Sequence, residues 1–150
     1  MVAMSTTKKV GISFVMPVRN EAKHLATAVQ AVLSQEHSGG QEVILAVAPS
    51  TDSTKEIASE LKGQYKSKLV VVDNTAGDTA TGLNLAIEQA RFETVIRVDA
   101  HSKLSKGYAK LAHEVLQETG AANVGGMMVA EGESAFQNAV AYGYNNRIGL

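Results

Sequence analysis

The segment Arg97-Val98-Asp99-Ala100-His101 sets a carboxylate and an imidazole two residues apart, directly after an apolar run. A chain that is still extended there sends alternate side chains to the same side, so the pair would address one space. An oxygen donor beside a nitrogen donor suits a divalent cation whose other ligands come from a polyanionic substrate, with the imidazole favouring Mn2+ over Mg2+. The plainer alternative is a turn, in which Asp99 ends a strand and caps the loop and helix after it. The residues alone leave both readings open.

Three other polar segments also follow apolar runs: Pro17-Val18-Arg19-Asn20-Glu21, Pro49-Ser50-Thr51-Asp52-Ser53-Thr54 and Asn74-Thr75-Ala76-Gly77. In open α/β sheets the ligand crevice lies outside the carboxyl ends of the strands, so all four segments are expected along one edge. Two phosphate motifs are excluded. No Gly-x-Gly-x-x-Gly follows the first apolar run, and Gly77-x-x-x-x-Gly82 leads into Leu83-Asn84 where a P-loop needs Lys and then Ser or Thr. Asn20 suits a helix N-cap, and Asp52 suits a turn as well as a ligand contact. Arg19 and Lys103 can reach a phosphate, but isolated basic residues beside loops are mostly solvated, and so are single histidines such as His24, His37 and His113.

Positioning these loops requires alternating strands and helices. Strands are expected at Gly11–Met16, Glu42–Val47, Leu69–Asp73, Thr94–Val98 and Ala122–Met128, each apolar enough to be covered on both faces. Helices are expected between them. Glu21–Gln35 puts Leu25, Ala28, Val29, Val32 and Leu33 on one stripe; Ser53–Tyr65 opens with a Ser53/Glu56 capping box and carries Ile57 and Leu61. Thr81–Arg91 uses Leu85, Ala86 and Ala90, Lys106–Thr119 uses Leu111, Val115 and Leu116, and Glu133–Ile148 closes the series. The pattern predicts an α/β fold with a mostly parallel, five-stranded sheet and helices on both faces.

The 150-residue length fits one domain: Met1 to Lys9 reads as a flexible lead-in and residues 10–150 as the folded unit. Fourteen basic against fifteen acidic residues give a net charge of −1, which offers no electrostatic reason to bind nucleic acid. The absence of cysteine excludes a disulfide framework and fits a cytoplasmic location. Neither a signal-peptide pattern nor an apolar run long enough to span a membrane is present in the sequence.

In their order and spacing these pieces resemble inverting GT-A (Rossmann-like) glycosyltransferases of family 2, in the succinoglycan-type exopolysaccharide branch. The matching segments are Val15-Met16-Pro17-Val18-Arg19-Asn20-Glu21, Ser50-Thr51-Asp52-Ser53-Thr54, Gly82-Leu83-Asn84-x-Ala86 and Val98-Asp99-Ala100-His101. The resemblance implies a hexosyltransferase-type reaction from a nucleoside-diphosphate sugar, a UDP-sugar, to a saccharide or lipid-linked acceptor with inversion. Pro17, Arg19, Glu21, Asp52, Asn84 and Asp99 would bind the donor, and Asp99 with His101 would hold Mn2+ or Mg2+. Members carry a carboxylate pair at the end of the second strand, where this chain has Val47 and Ala48, and His101 replaces a second Asp. No Glu-Asp pair follows Met128. Glu131 and Glu133 are weak candidates for a catalytic base, which is expected beyond Leu150 in a longer protein, seated at the inner face of the membrane if anchored there. An inert or truncated nucleotide-binding module is the alternative, and an apolar surface at the docking side of such a fragment predicts a homodimer.

Overall fold

The structure is a computed structural model in which residues 9–146 are described. Four strands, β1 (Lys9–Val18), β2 (Gly40–Val47), β3 (Leu69–Asp73) and β4 (Phe92–Arg97), form one sheet in the order β3-β2-β1-β4. Every pairing is parallel, with Phe14 opposite Val43 and Ile96 and Val47 opposite Asp73. Parallel neighbours need crossovers, and helices α1 (Leu25–Leu33), α2 (Thr54–Tyr65) and α3 (Thr79–Glu88) supply them. Two more helices follow, α4 (Tyr108–Thr119) and α5 (Ala135–Asn145).

Both sheet faces are covered, which explains why the strands read as continuous apolar runs. On one face Phe14, Met16, Val43 and Leu45 meet Leu25, Val29 and Val32 of α1, Ala58 and Leu61 of α2 and Ala109 of α4. On the other, Val15, Ile44 and Ala46 pack against Ala86 and Leu83 of α3. The expected stripe of α1 is therefore the buried one. In α4 the small residues Ala109 and Ala112 are buried while Leu111 is exposed, so the aliphatic stripe expected there is not the packed face.

Pro17 lies inside the central strand without breaking it. Its nitrogen faces the β4 side, because the flanking Val18 carbonyl accepts from Ala48 on the β2 side, and pairing to β4 ends at Val15 opposite Arg97. No ladder bond is lost. At the opposite end of the sheet Glu42 is fully buried: it accepts from the Ser13 hydroxyl (2.7 Å), the Arg91 backbone N–H (2.8 Å) and the Arg91 Nε (2.6 Å). That network fastens the α3–β4 connection to β1 and β2.

The expected fifth strand is absent among the described residues. Ala122–Met128 runs without strand pairing, and Met127 and Met128 are exposed. An apolar run is a strand only where a neighbour accepts its ladder, and Gly125-Gly126 lowers its own preference for one. The last helix is shorter than expected, ending at Asn145, with Ile148 outside the described residues, and a Ser134/Gln137 capping box opens it.

Candidate functional site at the carboxyl edge of the sheet

The four polar loops do meet at one edge, and the first two are sewn together. The Asn20 N–H donates to Ser50 Oγ (3.1 Å), the Glu21 N–H to Thr54 Oγ1 (2.8 Å) and the Ala22 N–H to Asp52 Oδ2 (3.1 Å). In return Thr51 donates its N–H (2.8 Å) and its hydroxyl (3.3 Å) to Asn20 Oδ1. Thr54, fully buried, donates its own hydroxyl to Asp52 Oδ1, which also accepts the Thr54 N–H. The Thr54 hydroxyl, then the backbone N–H bonds from Ala22 and Thr54, hold the Asp52 carboxyl below its ordinary range.

This clamp corrects two capping expectations. Asn20 sits at φ 55° in the left-handed region and ties to the Thr51 loop; α1 begins at Leu25 after turns. Ser53 makes no side-chain cap to α2, whose first free N–H is taken by Asp52 instead. Of its two sequence readings, Asp52 matches the turn-former: its oxygens are engaged within the protein.

Across the crevice, His101 Nδ1 lies 3.1 Å from Glu21 Oε1, joining the β1 and β4 loops over 80 residues of sequence. The Glu21 side chain keeps only 18% of its surface exposed and His101 66%. The extended geometry expected of Asp99 and His101 does not hold. The strand ends at Arg97, and the Ser102 N–H closes a turn onto the Asp99 carbonyl at 2.8 Å. Asp99 instead pairs with Arg97 through Nε and Nη2, each at 3.2 Å. Among the described residues no cluster of three His, Asp or Glu side chains forms a complete metal cage.

The third loop is pinned by buried Asn74, whose Nδ2 donates to the Asp78 carbonyl (2.8 Å) and whose Oδ1 accepts from Gly77 (3.3 Å), itself at φ 79°. Asp78 caps α3 by accepting the Thr81 N–H at 2.8 Å, and that bond is the first cause of its lowered pKa. Asn84 lies on the exposed side of α3 and Arg19 on the open rim. Val47 and Ala48 are buried and apolar. Of the two downstream acids, Glu131 meets Lys103 at 3.4 Å, two residues past His101, and Glu133 is exposed.

His37 and His113 are not the solvated histidines the sequence suggested: their rings meet edge to face at 4.8 Å, and His113 Nδ1 reaches the Thr94 hydroxyl at 2.8 Å.

A sequence profile of glycosyl transferase family 2 matches residues 13–149. The succinoglycan biosynthesis protein ExoA of Rhizobium meliloti is 30% identical over 137 residues, covering 90% of this chain and 41% of that protein. Glycosyltransferase GlyG of Streptococcus pneumoniae is 29% identical over 107 residues, 71% of this chain and 35% of its own length. The chain thus spans about two fifths of such relatives. Among solved structures, S. aureus TarS superposes with a TM-score of 0.63 at 22% identity, covering 83% of this chain and 24% of that one; TarS 1–349 in complex with UDP-GlcNAc gives 0.60 at 22% identity over 81% and 38%. Those structures share the GT-A fold with this one, and with the profile spanning all four loops, the chain belongs to glycosyl transferase family 2.

Proposed function

We propose that this chain is the donor-binding part of an inverting glycosyltransferase that passes a sugar from a UDP-sugar to a hydroxyl of a saccharide or lipid-linked glycan, in cytoplasmic polysaccharide biosynthesis. One observation carries the reading: Glu21 and His101 meet across the crevice at the carboxyl edge, where the four polar loops gather. The UDP-GlcNAc complex of TarS and the ExoA likeness support the donor class and the pathway class.

Asp99, once released from Arg97, and His101 would hold a Mn2+ or Mg2+ ion together with the donor diphosphate. A carboxylate only accepts, so the His101 Nδ1 facing Glu21 is the donor, and in the neutral tautomer that follows Nε2 has its lone pair for a metal. Carboxylate backing of a metal-binding imidazole is the usual way its ring is oriented. Asp99 is held only by an exposed ion pair with Arg97, of the kind that contributes at most about 1 kcal/mol, so releasing it is cheap. When bound, the cation neutralises charge on the departing diphosphate. Pro17 and Arg19 line the donor side, Asn84 supports it from α3, and the Asp52–Thr54 clamp fixes the loop that presents Glu21.

A second reading, a binding module without turnover, is favoured by the apolar pair Val47 and Ala48 where the family places carboxylates. Release of UDP from UDP-sugars in the presence of oligosaccharide acceptors separates the two. Turnover supports the transferase, whereas metal-dependent UDP binding without turnover supports the module.

A further inference from the structure

Arg97 is the last residue of β4, and its guanidinium reaches two residues ahead in the chain to Asp99. It engages both carboxylate oxygens: Nε and Nη2 each stand 3.2 Å from Oδ1, and Nη2 stands 3.4 Å from Oδ2. The Asp99 backbone is fixed. Val98 and Ala100 on either side of it are buried, the Val98 N–H donates to the Val15 carbonyl at 3.0 Å, and the Ser102 N–H closes the turn onto the Asp99 carbonyl at 2.8 Å. The Arg97 side chain is 55% exposed, and among the described residues it has no hydrogen bond or ion pair except to Asp99.

The other charges at this edge are committed elsewhere. Asp52 accepts from Thr54 and from the Ala22 N–H, Glu21 faces His101 Nδ1, and Lys103 meets Glu131 at 3.4 Å. Asp99 is therefore the carboxylate that a long, exposed cation alone neutralises. A guanidinium and a divalent ion cannot take the same carboxylate oxygens, so Arg97 competes with the ion for Asp99. A displaced guanidinium suits phosphate, which offers its planar fork the same paired acceptors as a carboxylate.

We propose that Arg97 couples the cation to the donor: it withholds Asp99 from a lone divalent ion and passes to the diphosphate when ion and nucleotide bind together. The proposal rests on the donor-site reading above. Arg97 is then a positioning residue, and its removal has two effects of opposite sign. A lone ion gains affinity, because it no longer displaces a paired charge or meets a positive neighbour. The nucleotide loses affinity, because its diphosphate loses a forked partner. By linkage, UDP and the ion strengthen each other less in the variant.

Calorimetric titration of Mn2+ alone, and of UDP at saturating Mn2+, tests this on the wild type, Arg97→Gln, Arg97→Lys and Lys103→Gln. Circular dichroism checks each fold, and Arg97→Met carries the same expectation if Arg97→Gln folds poorly. Arg97→Gln should bind Mn2+ alone about three- to tenfold more tightly. It should bind UDP with Mn2+ about tenfold more weakly. Arg97→Lys keeps the charge and should hold Mn2+ as the wild type does. Lys103→Gln removes a charge paired with Glu131 and should leave Mn2+ affinity where it was. A structural defect weakens both ligands together, so the opposed signs are the signature of the coupling. Mn2+ affinity that does not rise in Arg97→Gln, or rises as much in Lys103→Gln, overturns the proposal, as does UDP affinity unchanged in Arg97→Gln. A wild type whose UDP binding ignores Mn2+ removes the donor-site reading itself, and the proposal with it.

Discussion

Replacing Thr54 by Val should loosen the donor loop without opening a cavity. The two side chains share shape and branching, so what changes is the hydroxyl. In the wild type that hydroxyl is fully buried, accepts the Glu21 N–H at 2.8 Å and donates to Asp52. In the variant the Glu21 N–H loses its acceptor, and leaving a buried donor unsatisfied costs about 1–3 kcal/mol. Water reaches Glu21 in part, which places the expectation near the middle, about 2 kcal/mol, or roughly 4–8 °C in Tm for a domain of this size. Urea unfolding followed by circular dichroism measures the loss, with Thr54→Ser as control because it keeps the hydroxyl. The Thr54 hydroxyl is the first cause of the low Asp52 pKa, so that carboxyl should titrate closer to its ordinary range in the Val variant. A depressed carboxylate stabilises the fold above its unfolded pKa, about 3.9, and the contribution is lost as pH falls through the folded value, so the gap between wild type and variant should narrow in acid. A Val variant within about 0.5 kcal/mol of wild type, or a Ser variant as weak as the Val variant, would refute the clamp.

Arg91→Ala strips the buried Glu42 carboxylate of its guanidinium partner and should cost about 3 kcal/mol in urea unfolding, and Glu42→Ala in the same background should recover part of that loss. Gly82→Ala gains helix propensity yet should destabilise by about 1–2 kcal/mol, since its Cβ would stand 2.7 Å from Asn74 Nδ2 and push on the side chain that pins the third loop; a neutral or stabilising result contradicts that packing. The His37 pKa is lowered first by burial and then by His113, so the folded state binds fewer protons than the unfolded one. Stability should therefore be complete above about pH 6.5 and fall as pH drops below it, and His37→Gln should flatten that slope in denaturation midpoints taken between pH 7.5 and 5. Glu21→Gln should weaken Mn2+-dependent UDP binding about tenfold or more by removing the carboxylate behind His101, while leaving the metal-free signal unchanged.

The sheet was legible because β1 and β2 are buried on both faces and β3 is partly buried, so all three read as unbroken apolar runs between polar turns. Ala122–Met128 carries a similar composition, but composition does not show whether a run pairs with a neighbour, and here it does not. The loops were legible as a group, since topology alone gathers them at the carboxyl edge. Their wiring was not: the Glu21–His101 contact spans 80 residues, and Asn20 and Asp52 have the local features of caps while acting as ties between loops. Thr54 carried a faint signal, as a Thr two residues after an Asp in a polar turn, and its burial is a tertiary fact. Asp99 and His101 diverge because the strand ends at Arg97, and a side chain two residues earlier in the sequence, Arg97 itself, takes the carboxylate.

The most direct test of the donor site is calorimetric titration of UDP into the chain with and without Mn2+, for the wild type and for Asp99→Ala. The account predicts binding that strengthens with Mn2+ and loses that dependence in the variant. Binding of UDP that is equal with and without the metal, or unaltered by Asp99→Ala in a folded protein, would contradict a cation-assisted diphosphate site at this edge.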